Sequence, residues 1–190
     1  MKKYLYSLFS LVLISSFQNE QAIAKNKIDS KVGRLITNTS IGKIKLGMKY
    51  YDVFNILKNY KPEIHNGADA SDEWSGLSSE IISVSDLYRN EHKIVKEIIT
   101  CNPQFLTIKG IRVGMAFSQL EKIYPNINLR IDALDGIEFF SPNDYKNMRI
   151  DFETKNQETI GLYSDIHGES TSIKIKNRKA QISCITIRKD

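Results

Sequence analysis

The residue types able to carry chemistry are few in this chain, and their spacing works against it. His65, His92 and His167 are far apart, and none falls in a His-Glu-x-x-His or Cys/His spacing that would hold zinc. Asp69, Asp72 and Glu73 cluster, but they lack the alternating oxygen ligands and central glycine of a calcium loop and read as surface charges. No Gly-x-Ser-x-Gly elbow or phosphate-binding loop is present. The expectation is therefore no metal site, no cofactor and no complete catalytic signature. The two cysteines, Cys101 and Cys184, each sit in a run of β-branched residues, Ile94 to Cys101 and Ala180 to Ile187. In an oxidising compartment two thiols usually pair, and a bond closing this loop would stabilise the fold by roughly 4 kcal/mol in the chain-entropy model. The alternative is two buried free thiols acting as small apolar groups.

The compartment follows from the first residues. Lys2 and Lys3 precede a largely apolar run from Tyr4 to Phe17, and Ala22-Ile23-Ala24 supplies the small residues that signal peptidase accepts. Residues 1–24 are expected to be a signal peptide, leaving a periplasmic or secreted protein with no transmembrane span in the mature chain. A membrane anchor is the alternative, but a span needs about 20 predominantly apolar residues, and Gln18-Asn19-Glu20-Gln21 ends this run early. With 41% hydrophobic and 26% charged residues, the chain has the composition of a folded globular protein.

The elements that would position any site are announced by a repeat. Ile44-Lys45-Leu46-Gly47-Met48-Lys49-Tyr50 and Ile111-Arg112-Val113-Gly114-Met115-Ala116-Phe117 each close a short apolar stretch and open a helix-like one. After the first, Tyr50, Val53, Phe54 and Leu57 recur at helical spacing; after the second, Phe117, Leu120, Ile123 and Tyr124 do so. Lys49 and Ala116 take the N-cap positions, with Asp52 and Gln119 at N3. Both helices are expected to end at a proline, Pro62 and Pro125. Runs of β-branched and aromatic residues follow, at Glu80 to Leu87 and Lys93 to Cys101 in the first copy. In the second copy they are Ile127 to Ile131, Ile137 to Ser141, Arg149 to Glu153, Ser172 to Lys176 and Ala180 to Arg188. The polar stretch from Glu63 to Gly76 reads as an exposed loop. The predicted class is α+β, with two related modules, each a helix packed on an antiparallel β-meander. The predicted boundaries are an N-terminal arm at 25–40, a first module at 41–105 and a second at 106–190. The methionines of the two Gly-Met corners read as core residues.

Gly-Met closing a strand and opening an amphipathic helix, followed by a meander and repeated once, resembles the tandem-module architecture of the secreted beta-lactamase inhibitor proteins. It is similar also to the single module of the SmpA/OmlA outer-membrane assembly family. The residues that carry the likeness are Leu46-Gly47-Met48 and Val113-Gly114-Met115. The sequence departs from those families at Lys49 and Ala116, where Ser or Thr is common, and it lacks a lipid-bearing cysteine after the signal. The resemblance implies a non-enzymatic protein that binds an envelope or secreted partner through an exposed sheet surface, as an inhibitor, immunity factor or assembly accessory.

Candidate aromatic anchors for such a surface are Trp74, Tyr88, Phe139, Phe140 and Tyr163. Adjacent Phe139 and Phe140 would point to opposite faces of a regular strand, leaving one outside the main core. The segment Ser172 to Asp190 is basic, and Lys174 and Lys176 in it are candidates for contact with an anionic envelope polymer. The competing reading is an edge strand whose lysines deter aggregation. Nucleic acid is not an expected partner, because no recognition motif is present. An enzymatic alternative is cysteine-dependent peptidoglycan modification, since Ile166-His167-Gly168 and Ser183-Cys184-Ile185 resemble parts of the L,D-transpeptidase site. Gln181-Ile182-Ser183 stands where Ser-His-Gly would precede that cysteine, and Thr186 replaces an arginine.

Overall fold

The computed structural model describes residues 32–68, 73–86, 94–132, 134–153, 158–163 and 169–189. The expected signal segment at 1–24 and the arm as far as residue 31 lie outside them, as do Asp69, Asp72, Tyr88, His92 and His167. Over the described residues the protein is mostly antiparallel β-sheet with two short α-helices, an α+β arrangement. Among the described residues no helix is long and apolar enough to cross a membrane.

Three two-residue strands, β1 (Leu35–Ile36), β2 (Ser40–Ile41) and β3 (Ile44–Lys45), lead into helix α1 (Tyr50–Leu57) and a short 3-10 turn at Lys58–Tyr60. Four strands follow: β4 (Glu63–Ala68), β5 (Glu73–Ser78), β6 (Ser83–Asp86) and β7 (Glu97–Thr100). The chain then forms β8 (Leu106–Thr107) and helix α2 (Phe117–Ile123). It finishes through β9 (Arg130–Asp132), β10 (Glu138–Phe140), β11 (Met148–Glu153), β12 (Gly161–Leu162), β13 (Glu169–Thr171), β14 (Lys174–Ile175) and β15 (Gln181–Arg188).

The strands make a four-stranded sheet ordered β3-β2-β1-β8 and a nine-stranded sheet ordered β13-β9-β10-β11-β15-β7-β6-β5-β4, with a separate ribbon of β12 and β14. In the nine-stranded sheet the last strand of each predicted meander, β7 and β15, pairs antiparallel with the other at the centre. The polar stretch read as a loop is in fact the β4–β5 hairpin, paired from Glu63↔Ser78 to Ala68↔Glu73. It lacks alternation because β4 is an edge strand whose Glu63, Ile64, His65 and Asn66 are all exposed.

Each Gly-Met corner is a left-handed turn held by the same two hydrogen bonds. Gly47 and Gly114 both have φ of 81°, a region that favours glycine. The Gly47 N–H donates to Val95 O at 2.7 Å and Val95 N–H donates to Met48 O at 2.8 Å. The Gly114 N–H donates to Ile182 O at 2.8 Å and Ile182 N–H donates to Met115 O at 2.9 Å. Met48 and Met115 are half-buried, not core residues, because each follows an exposed glycine at the edge of the packed layer. Both predicted N-caps hold, with Lys49 and Ala116 in extended backbone. Only at the second does a side chain reach back: Ala116 N–H donates to Gln119 Oε1 at 3.1 Å. The first helix places Val53 and Leu57 in the core but leaves Phe54 and Tyr51 exposed. The second buries Phe117 and Leu120.

The core lies on one side of the nine-stranded sheet. Leu77, Val84, Ile98, Ile131, Met148, Ile150, Ile185 and Ile187 are all buried, and along most of these strands they alternate with half-buried neighbours. Helix α2 packs on this side, with the Phe117 and Phe152 rings 5.4 Å apart and the Tyr124 and Phe140 rings 5.3 Å apart.

Candidate functional site

The opposite side of the sheet carries one aromatic ring framed by charged side chains. On β9 and β11, Arg130, Asp132, Arg149 and Asp151 are half-buried and alternate with buried Ile131 and Ile150. Between those strands, β10 contributes Phe139, which pairs with Arg130 on one side and Asp151 on the other. The Arg149 guanidinium lies 4.2 Å from the Phe139 ring centroid and that of Arg130 lies 5.1 Å from it. Arg149 Nε–H donates to Asp151 Oδ1 at 2.6 Å, and its terminal nitrogen lies 3.8 Å from Asp132 Oδ2. Burial pushes the Asp151 carboxyl above its ordinary range, and the hydrogen bond and charge of Arg149 oppose that shift without cancelling it.

These residues share a straight row across the sheet. Thr171, Arg130, Phe139, Asp151 and Cys184 are successive cross-strand partners on β13, β9, β10, β11 and β15. Cys184 is bonded to Cys101, just beyond β7, so the row continues through the disulfide. The predicted pairing is therefore present, and it joins the two central strands on the open face. The row contains no nucleophile beside a base, and its arrangement suits docking. An apolar plate lies under two guanidinium groups, and Asp151 and Asp132 orient that of Arg149, the residue chemistry of interface hot spots.

Of the other sequence candidates, Phe140 faces the core against Tyr124, and Phe139 faces the open side as strand alternation requires. Both are buried, at 5% and 2% exposure, so neither ring is bare: the end of helix α2 covers one and arginine the other. Tyr163 is half-buried and donates its hydroxyl proton to Glu138 Oε1 at 2.7 Å. Burial, this bond and the Glu138 charge push the Tyr163 hydroxyl well above its ordinary value. Glu138 also accepts from the backbone N–H groups of Ile160 and Gly161 at 2.5 and 2.7 Å, so the buried carboxylate is met by three donors. Trp74 lies on β5, where its backbone alone is described. Lys174 and Lys176 are exposed in and after β14, outside the Phe139 row. Among the described residues no group of three or more His, Cys, Asp or Glu is placed to hold a metal ion.

Sequence reasoning missed Arg130 and Arg149. The signal was available: Asn128-Leu129-Arg130-Ile131-Asp132 and Asn147-Met148-Arg149-Ile150-Asp151 repeat an Arg-Ile-Asp strand on either side of Phe139. It missed also the cleft of about 580 Å³ beside the end of helix α2. There Tyr124 O–H donates to Asp144 Oδ1 at 2.8 Å, and Lys109 Nζ lies 2.8 Å from Asp144 Oδ2 and 4.6 Å from the Tyr124 ring centroid. Burial, the bond to Asp144 and that carboxylate's charge push the Tyr124 hydroxyl well above its ordinary value. Burial pulls Asp144 upward, but the hydrogen bonds and charge of its partners outweigh it and leave the carboxyl below its usual range.

Comparison with known families found no matching family model, and no curated protein matched the chain. Among solved structures the chain is similar to the uncharacterized protein yfeY from Escherichia coli, with a TM-score of 0.57 and 10% sequence identity. The match covers 81% of this chain and 99% of that one, and at this identity it is a likeness of fold.

Proposed function

We propose that this is an exported, non-enzymatic binding protein that docks a protein partner on the open face of its nine-stranded sheet. The observation that carries the reading is Phe139, held on that face beneath two guanidinium groups, of which Arg149 is oriented by Asp151. A partner aromatic or carboxylate would meet a preformed surface with little side-chain entropy left to lose. Inhibition, immunity and envelope assembly all require such a surface and no chemistry.

The same reading takes the chain as two related modules, each a helix on an antiparallel meander. Its support is the shared hydrogen bonding of the two Gly-Met corners, together with the register of β7 against β15. Mapping Val95 onto Ile182 moves Ile98 onto Ile185 and Thr100 onto Ile187. The observed pairs Ile98↔Ile187 and Thr100↔Ile185 then exchange with each other about the Ile99↔Thr186 pair. An approximate twofold axis through that pair would relate the modules. Under this mapping the Cys101–Cys184 bond corresponds to the Glu97–Arg188 ion pair at 4.0 Å. The resemblance to tandem-module inhibitors and to the SmpA/OmlA module, carried by Leu46-Gly47-Met48 and Val113-Gly114-Met115, belongs to the same reading.

The disulfide also weighs against the transpeptidase alternative, since a bonded Cys184 offers no thiolate. A pull-down from envelope extract with tagged wild-type protein and an Arg149→Ala variant tests the proposal. A protein retained by the first and lost with the second supports it. Equal retention by both would place binding elsewhere.

A further inference from the structure

The ribbon of β12 and β14 lies outside both larger sheets. Among the described residues the first half of the chain has no counterpart to it. There β7 is the next strand after β6, whereas between β11 and β15 the chain builds β12, β13 and β14.

The ribbon is fixed rigidly to the body. The buried Glu138 carboxylate accepts from Ile160, Gly161 and Tyr163 at its base. Ile173 N–H donates to Leu162 O, and Lys176 N–H donates to Ile160 O, both at 2.7 Å. A Cβ at Gly161 would meet the Ser172 Cβ at 2.7 Å, so the two segments approach as only glycine permits.

What this clamped ribbon presents is apolar and cationic together. Leu162 is 46% and Ile173 66% exposed, and Lys174, paired in register with Leu162, is exposed beside them. Neither Lys174 nor Lys176 forms an ion pair among the described residues. Exposed aliphatic side chains next to such lysines match a surface that offers negative charge over hydrocarbon. A soluble polyanion would engage the lysines and leave Leu162 and Ile173 in water.

We propose that the β12–β14 ribbon docks the protein on an anionic lipid surface, with Leu162 and Ile173 entering the headgroup region and Lys174 and Lys176 meeting lipid phosphates. The ribbon adjoins the row at Thr171 but shares none of Arg130, Phe139, Arg149 or Asp151 with it, so a loss of flotation with partner capture kept, or the reverse, distinguishes the two proposals.

The test is flotation of the protein recovered from cells with vesicles of phosphatidylcholine containing phosphatidylglycerol, and with phosphatidylcholine vesicles alone. Wild type is expected to float with the anionic vesicles and less with the neutral ones. An Ile173→Asp, Lys174→Glu double variant should bind roughly tenfold more weakly. Ile64→Asp, at an exposed aliphatic position on the edge strand β4, should bind as wild type does. Unchanged melting temperatures confirm that the variants fold. No flotation of wild type, equal flotation of the double variant, or an equal loss in Ile64→Asp would overturn the proposal. So would capture by soluble polyphosphate that Ile173→Asp leaves intact while vesicles bind nothing.

Discussion

The Arg149 guanidinium lies 4.2 Å from the centroid of the Phe139 ring while its Nε–H donates to Asp151 at 2.6 Å. One side chain thus covers an aromatic plate and satisfies a partly desolvated carboxylate. Lysine cannot do both, because it lacks the planar fork. Arg149→Lys is expected to lower stability by about 1 kcal/mol and to weaken partner capture, whereas Arg112→Lys, at an exposed arginine, should do neither. Urea denaturation of the two variants checks the first half of this expectation.

The Cys101–Cys184 bond ties β7 to β15 at the centre of the sheet. Its loss should cost up to roughly 4 kcal/mol, a large part of the stability of an ordinary domain. Denaturation of Cys101→Ser, Cys184→Ser protein should match that of reduced wild type. A reductant that leaves the wild-type midpoint unmoved would contradict the expectation.

Glu138 has three donors and no cation among its described partners. Glu138→Gln turns an amide N–H toward a backbone N–H and is expected to destabilise by about 2 kcal/mol. Tyr163→Phe removes a single donor and should cost about 1 kcal/mol. The order of the two, measured by thermal or urea unfolding, is the discriminating result.

Tyr124 and Tyr163 are held above their ordinary value, first by burial and then by Asp144 and Glu138. Unfolded tyrosine ionises near pH 10, whereas the folded chain keeps both protons. Their contribution is therefore fully present below about pH 10 and is lost as the pH rises above it. Asp144 has the opposite sign: its lowered carboxyl supports the fold at neutral pH, and that support is lost as the pH falls below about 4. Replacing both tyrosines with phenylalanine should flatten the alkaline limb of a stability profile. An unchanged limb would assign it to other groups.

The parts of this fold legible in the sequence are those with strong local signals. Helical spacing locates Val53 and Leu57, and the Gly-Met pair locates two corners that need a positive φ. Runs of β-branched and aromatic residues locate β11 and β15, each long enough to stand out. Strands of two residues, such as β1 and β8, hold no period to detect, and the edge strand β4 has no buried face to mark. Phe54 fits the apolar stripe of its helix yet stays exposed, because tertiary contacts and not spacing decide which stripe residues are covered. The site is harder to read. Phe139 can be named from its strand, but its arginine cover comes from two other strands, and local sequence does not specify which strands become neighbours.

The most direct test of docking on the open sheet face is site-specific photo-cross-linking in cells. A photoreactive side chain placed at Ser83 or Ile99, which share that face, should trap one discrete partner species, and the same probe at exposed Asn55 on helix α1 should not. Trapping from Asn55 alone, or from none of the three positions, would contradict docking there.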